Sequence, residues 1–370
     1  MKPAFKTLII RTTITFALIS LISLSALYAL SQVKQDLQNN IIKSLQTVVE
    51  TTGQALEIWI KFRKIEIADI AKEQALIKSA QTLLKEHQHH KNVENSQTLT
   101  KLRAMMQTKL TRHSDNGFFI INTNRINVAS MRDENLNDLN LIHQQRPSYL
   151  DRVFNGQTLF IPPIRSDVPL KTSTGKYREN LPTMFIATPL YNHNNIVFAV
   201  LTIRLNPAKD FNKIIQLGRI GDSGETYAFD KNANLLSESR FDFQLKDIGV
   251  LHNIDKGILT VRIADPGGNL IKGFIPPLPA NERPLTVMAK SAISKRSNFN
   301  IDGYRDYRGV PVFGAWKWHN ELEIGITTEI DVAEAMHPYQ YTLYAFIVLI
   351  VVTLILCFSF AYLIRWLKTH

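Results

Sequence analysis

The sequence predicts an α+β protein: two tandem units of antiparallel sheet on one long stalk helix, flanked by two transmembrane helices. Three observations predict it. Two charge-free apolar runs, one near each end, are long enough to cross a bilayer. The first runs into a long stretch with helical periodicity. At Gly117 the period becomes that of strands, and the strand pattern starts again at Glu225.

Residues 1–11 carry Lys2, Lys6 and Arg11 and form a short cytoplasmic N-terminus; Thr12 to Val33 then has no charge. About 22 such residues span roughly 30 Å of hydrocarbon as a helix. A cleaved signal peptide would have a shorter apolar core and a small-x-small site, and Leu27-Tyr28-Ala29 is a poor one. A retained anchor over 12–33 is therefore expected. The second span, 338–364, has an uncharged run from Tyr339 to Ile364, with Asp331 and Glu334 before it and Arg365 and Lys368 after it in the tail 365–370. Lysine and arginine mark the cytoplasmic side of a span. Both ends then face the cytoplasm, and everything between the spans lies outside. The expected location is a bacterial inner membrane, multi-pass, with the large domain in the periplasm. The six residues after the second span hold no output domain.

Residues 34–113 read as a stalk helix and a return helix. Apolar positions at Val33, Leu37, Ile41, Leu45, Val48, Ala55, Trp59, Phe62 and Ile70 fall mostly three or four apart, one helix running to about Glu86. Such a stripe needs a partner, either the globular part or the same helix of a second copy. A homodimer is expected, and charges at Leu45, Val48 and Ala55 should break it. His87-Gln88-His89-His90 invites a metal reading, but no cysteine or carboxylate stands at ligand spacing, so a solvated loop is expected. Leu99 to His113 returns as a short helix.

Residues 114–216 form the first unit. Phe118 to Ile121 and Ile126 to Ser130 read as strands, and Tyr149 to Phe154 as a helix stopped at Gly156. Thr183 to Thr188 and Val197 to Leu205 are strands joined by the turn His193-Asn194-Asn195. Between them runs a long polar excursion, Ile161 to Leu181, of the kind that usually carries function. Ala208 to Gln216 is a helix. The second unit, 217–337, opens with a hairpin, Glu225 to Phe229 and Asn234 to Ser239, and adds strands at Gly309 to Lys317 and Glu323 to Glu329. Gly218, Gly221 and Gly224 read as a flexible connection between the units. Trp316 and Trp318, alternating with Lys317, read as core.

The formal net charge is +11, yet the basic residues are scattered without interleaved aromatics, which argues against nucleic acid. The single cysteine, Cys357, lies in the second apolar run, so the outer part has no disulfide. Asp230-x-Asn232-x-Asn234 opens like a calcium loop but continues with Leu235 and ends on Phe241, so a hairpin turn explains it better. Neither a Gly-x-Ser-x-Gly elbow nor a His-Glu-x-x-His pair is present. No enzyme activity, metal or cofactor is expected.

Three stretches resemble the double Cache sensor domains of bacterial chemoreceptors, histidine kinases and nucleotide cyclases. They are Arg219 to Asp230 running into Leu235 to Arg240, Gly303 to Trp316, and Ile324 to Ala335; Phe185 to Pro207 also fits the closing strands of a membrane-distal module. The resemblance implies PAS-like modules, distal at 114–216 and proximal at 217–337, with a ligand pocket on one face of a sheet, usually the distal one. The Tyr…Arg-x-Trp-Tyr pattern of amino-acid-binding members is not found between Gly117 and Leu205. Candidate ligand-binding residues are Arg132, Asp133, Tyr149, Arg165, Asp167, Thr183 and Phe185. Arg132 or Arg165 would clamp a carboxylate, and Tyr149 or Phe185 would supply an apolar wall. The dense run Tyr304 to Arg308 is expected to shape the turn around Gly309. The expected function is a membrane-anchored sensor of a small ligand, a carboxylate among the candidates, signalling to a separate cytoplasmic or membrane partner. The alternatives are an envelope interaction protein and, behind it, an anchored periplasmic hydrolase.

Overall fold

The computed structural model describes residues 3–89, 93–113, 117–172, 175–252 and 256–369. Helix α1, Pro3–Ala71, is 69 residues long, about 100 Å at 1.5 Å per residue. The stalk does not run unbroken to Glu86. Glu73 takes an extended conformation, and α2, Gln74–Gln88, starts afresh, with α3, Gln97–His113, beside it. Lys109 on α3 pairs with Glu73 at 2.6 Å, which pins the break. His87 and His89 end α2; His90 lies outside the described residues, as does Lys2.

The first sheet has the order β2-β1-β7-β6-β3, antiparallel throughout, from β1 Gly117–Ile121, β2 Asn127–Ser130, β3 Leu159–Arg165, β6 Pro182–Tyr191 and β7 Val197–Leu205. Two short helices, α4 Leu141–Gln145 and α5 Pro147–Phe154, join β2 to β3. Asn140 caps α4 by accepting from the Ile142 amide. The excursion is shorter than expected. Its first residues, Ile161 to Arg165, belong to β3, and of the described residues only 166–172 and 175–181 leave the sheet, carrying the two-residue ribbon β4 Leu170–Lys171 and β5 Tyr177–Arg178.

After α6, Phe211–Gln216, the second sheet follows in the order β8-β11-β10-β9, from β8 Glu225–Asp230, β9 Asn298–Arg305, β10 Pro311–His319 and β11 Ile324–Asp331. Helices α7 Asp242–Asp247 and α8 Val287–Ile293 lie between β8 and β9. The expected second hairpin strand, Asn234 to Ser239, is not a strand. It makes two isolated bridges, Phe229 to Leu235 and Asn234 to Arg262, and Leu236 packs into the core cluster that the first sheet shares with α1–α3. Strand β9 was not expected, because its apolar residues do not alternate cleanly. The glycines at 218, 221 and 224 are not a flexible connection. A side chain on Gly218 would overlap Thr226 and Val48, and one on Gly224 the Ile220 carbonyl. The loop is tied down: Arg240 donates to the Gly221 and Gly224 carbonyls, while Glu334 accepts from the Asp222 and Ser223 amides.

Alternation sorts each sheet into two faces. Phe118, Ile120, Ile186, Leu201 and Ile203 pack on α1–α3 with Leu56, Ile60, Leu76 and Met106. Phe119, Ile121, Phe185, Ala187 and Val200 face the opposite way, onto α4 and α5. In the second sheet, Phe313, Ala315 and Ile330 pack on Ile42, Leu45 and Val49 of α1. The other face holds Tyr227, Phe229, Trp316 and Trp318 against α8, so both tryptophans are core as expected. Strand β11 runs into α9, Val332–Ala335, and then α10, His337–Thr369. Within α10, His337–Ser359 is long and apolar enough to cross a membrane. The other expected span lies in the N-terminal part of α1, where the side chains of residues 3–12, 15, 16 and 18 are outside those described.

Candidate functional site

The α4–α5 face of the first sheet is largely apolar, with Thr183, Thr202 and Arg204 as polar residues, and Arg204 is the one charge in β7. Register explains how it fits. Arg204 pairs with Phe185 on one side and with Gly117 on the other, where no side chain competes for space. Its guanidinium stacks over the Phe119 and Phe185 rings, 5.1 and 5.4 Å from the centroids. It is 3% exposed and donates to Ser166 Oγ at 2.9 Å and to Asp167 Oδ1 at 3.0 Å. Burial pulls the guanidinium below its usual range, and Asp167 opposes that pull. Asp167 also accepts from Asn135 at 3.1 Å. Two positions back on the same face, the buried Thr202 hydroxyl has no partner among the described residues. The space left beside the pair, about 10 Å³ between Phe119, Ser130, Arg132 and Leu170, admits one water.

The expected site residues separate into two groups and one outlier, Asp133. Arg132, Asp167 and Phe185 gather around Arg204: Arg132 donates to the Pro169 carbonyl at 2.8 Å, holding the excursion down. Thr183 is buried on the same face, its hydroxyl 3.5 Å from the Leu205 carbonyl. Asp133 points away from this site and pairs with Arg103 at 2.7 Å. Tyr149 and Arg165 lie elsewhere, at the junction of the two units. Arg204 is the residue that sequence reasoning missed. Its signal was there: a lone charge near the end of an otherwise uncharged strand.

At that junction a cavity of about 420 Å³ opens between Arg146, Tyr149 and Arg165 of the first unit and Asp230, Lys231 and Asn234 of the second. Arg146 pairs with the buried Asp230 at 3.1 Å. Tyr149 reaches the Leu322 carbonyl at 3.4 Å, and burial, with nearby Glu323, pushes its phenol up. Asp230 does not begin a calcium loop. Its Oδ1 accepts from the Asn232 and Asn234 amides, both at 2.9 Å, and Ala233 sits at φ 61°, so it is a turn.

A third polar group lies in the core of the second unit. Glu329 accepts from the phenols of Tyr304 at 2.5 Å and Tyr227 at 2.9 Å, and Glu225 from Tyr307 at 2.6 Å. Burial, then the Asp306 charge, push Glu329 up to about 8; burial also raises Glu225. The expected turn role of Tyr304 to Arg308 holds for Asp306, which accepts from the Arg308 and Val310 amides. The tyrosines instead turn inward, and Arg308 bridges Asp306 and Asp331, both at 2.7 Å.

No protein-family model matches the chain, and no curated protein does. Among solved structures, it resembles the sensor domain of the Vibrio cholerae histidine kinase DctB, with 14% identity over 80% of this chain and 98% of that one and a TM-score of 0.46. It also resembles the ligand-binding domain of the Campylobacter jejuni chemoreceptor Tlp3, solved with L-valine: 11% identity, 82% and 97% covered, TM-score 0.44. A third is that of the Pseudomonas aeruginosa chemoreceptor PctB, solved with L-Arg: 15% identity, 83% and 92% covered, TM-score 0.46.

Proposed function

We propose that this chain is a membrane-anchored sensor whose outer part binds a small carboxylate at Arg204 and passes a conformational signal through two transmembrane helices. The observation that carries the reading is the Arg204 seat. A charged guanidinium is buried between two aromatic rings, next to an unpartnered hydroxyl, and held by a carboxylate from the excursion rather than from the sheet. Breaking a buried ion pair without a substitute costs about 3–5 kcal/mol. A carboxylate entering as the segment around Asp167 lifts would replace Asp167 at little net cost. Bound and unbound forms would then differ in where the excursion lies, and the ligand shifts that equilibrium by its differential affinity.

The route to the membrane follows from packing. In this reading 114–216 is the distal module and 217–337 the proximal one, with spans at 12–33 and 338–364. Helix α1 touches both sheets: Leu56 and Ile60 meet the first, Leu45 and Val49 the second. Ala335 and Met336, at the entry to α10, share that second contact. Leu21, Ile22, Leu24 and Leu27 of α1 are well exposed, as lipid-facing residues would be. The lysines and arginines outside both apolar runs set the orientation, with the sheets in the periplasm.

A homodimer belongs to the same reading. Thr51, Ala55, Ile58, Phe62 and Ile65 recur at alternating four and three residues, and Ile58, Phe62 and Ile65 are 57%, 69% and 50% exposed. That heptad stripe suits the same helix of a second copy.

The test is calorimetric titration of the full chain in detergent micelles with a panel of small carboxylates, amines and sugars. One carboxylate should bind, and Arg204→Lys, which keeps the charge but not the planar fork, should weaken it at least tenfold. Binding confined to neutral solutes, or unchanged by Arg204→Lys, would remove the reading.

A further inference from the structure

The cavity between the two units is distinct from the Arg204 seat, and its charge is unbalanced. Three cations line it, Arg146, Arg165 and Lys231, against one carboxylate, Asp230. That carboxylate is already saturated. Oδ1 accepts two backbone amides, and Oδ2 accepts from Arg146 at 3.1 Å and from the Asn234 amide group at 3.3 Å. Arg165 spends only Nη2, on the Leu259 carbonyl at 2.6 Å and, at 3.5 Å, the Thr260 hydroxyl, so its Nε and Nη1 donors remain. Lys231 has no hydrogen bond or ion pair among the described residues, and it is exposed. The volume, about 420 Å³, falls within the range of small-molecule sites.

We infer that this cavity is a second ligand site, for a small polyvalent anion such as a di- or tricarboxylate or a phosphate. Two uncompensated cations from opposite walls favour an anion with at least two charges over a monovalent one. The planar fork of Arg165 suits a carboxylate or phosphate edge, and Lys231 acts as a point charge facing it. Arg165 belongs to β3 of the first unit and Lys231 to the turn after β8 of the second. An anion held by both fastens the two units together. The site therefore acts on the angle between them, whatever binds at Arg204.

The test is titration of the full chain in detergent micelles with citrate, inorganic phosphate and acetate at low ionic strength. Citrate or phosphate should bind at least tenfold more tightly than acetate. Arg165→Ala and Lys231→Ala, both at exposed positions, should each weaken the polyvalent anion about tenfold or more, and added salt should weaken it further. If neither polyvalent anion binds, or if both variants bind it as the parent does, the inference is overturned. Loss of binding in Arg204→Lys, with Arg165→Ala and Lys231→Ala retaining it, would place the anion on the first sheet and overturn it too. Failure of the carboxylate reading at Arg204 leaves these outcomes unchanged.

Discussion

The carboxyl of Glu329 lies 2.5 Å from the hydroxyl of Tyr304 in the core of the second unit, where the two residues are only 3% and 6% exposed. Tyr304 reaches it through space that exists because residue 314 of β10 is glycine: a Cβ there would lie 2.1 Å from the phenol oxygen. Glu329 lies two residues before the end of β11, which leads through α9 into α10.

Acidity is the first consequence. Glu329 has its pKa raised from 4.5 to about 8 by burial, so the folded protein holds that proton where the unfolded chain releases it. Its contribution to stability is full below about 4.5 and declines as the pH rises through about 8. Glu225 and Asp306, raised by burial as well, act in the same direction. The groups facing Glu329 are Tyr227, Glu225, Tyr304 and Asp306, and the nearby cation Arg308 pairs with Asp306 and Asp331 rather than with Glu329. The thermal midpoint should fall between about pH 5 and pH 8, and Glu329→Gln should flatten that fall. Equal slopes for parent and variant, by circular dichroism, would show that Glu329 is not the group titrating.

Packing at the same point gives a second prediction. Gly314→Ala drives a methyl into the Tyr304 phenol and should cost about 1–3 kcal/mol, the usual range for overpacking. Chemical denaturation measures it. Combined with Tyr304→Phe, which removes the obstructing oxygen, the loss should be less than the sum of the two single losses.

Asp167 should behave as an internal competitor for any carboxylate at Arg204. Asp167→Ala strands the buried guanidinium and should destabilise the first unit by about 3 kcal/mol, near the lower end for a broken buried pair because Asp167 is partly exposed. The carboxylate that binds the parent should bind this variant more tightly and restore much of the lost midpoint. A variant that loses stability and gains nothing from carboxylates would show that the pair is only structural.

Self-association should depend on the outer stripe of α1, which keeps Ala55 of the positions that periodicity suggested but not Leu45. Leu45 is 1% exposed, packed on Phe313 and Ala315, so a charge there would disrupt the second unit rather than a dimer. Ile58→Glu with Phe62→Glu should halve the sedimenting mass of the full chain and leave the circular dichroism spectrum intact. A double variant that sediments like the parent would exclude this face.

Much of the architecture was legible because its signals are local. The charge-free run from Tyr339 marks a helix long and apolar enough to span, and β1, β7 and β10 fall within a residue or two of their expected limits. The misses came where a local signal had competition. Asn234 to Ser239 has strand-like residues, but Ser237 gives its hydroxyl as acceptor to the Ala228 amide and takes the place of a ladder partner. Strand β9 carries Asn298, Asn300 and Asp302, and β10 recruits it through a shifted register.

By itself, the sequence determined the periods, the apolar runs and their flanking charges, and the repetition of one kind of unit, all of which depend on residues within a few positions of each other. Which ionisable groups are buried, and with whom, was decided only by the tertiary structure. Arg204 and Asp167 are 37 residues apart, and Glu329 and Tyr227 are 102 apart. Their meeting depends on strand order and register, and a slip of one residue would turn Arg204 or Glu329 to the opposite face. A charge on a strand reads the same in sequence whether it faces water or a core; the cost of burying it, and hence its pKa and its use, exists only once the neighbouring strands are in place.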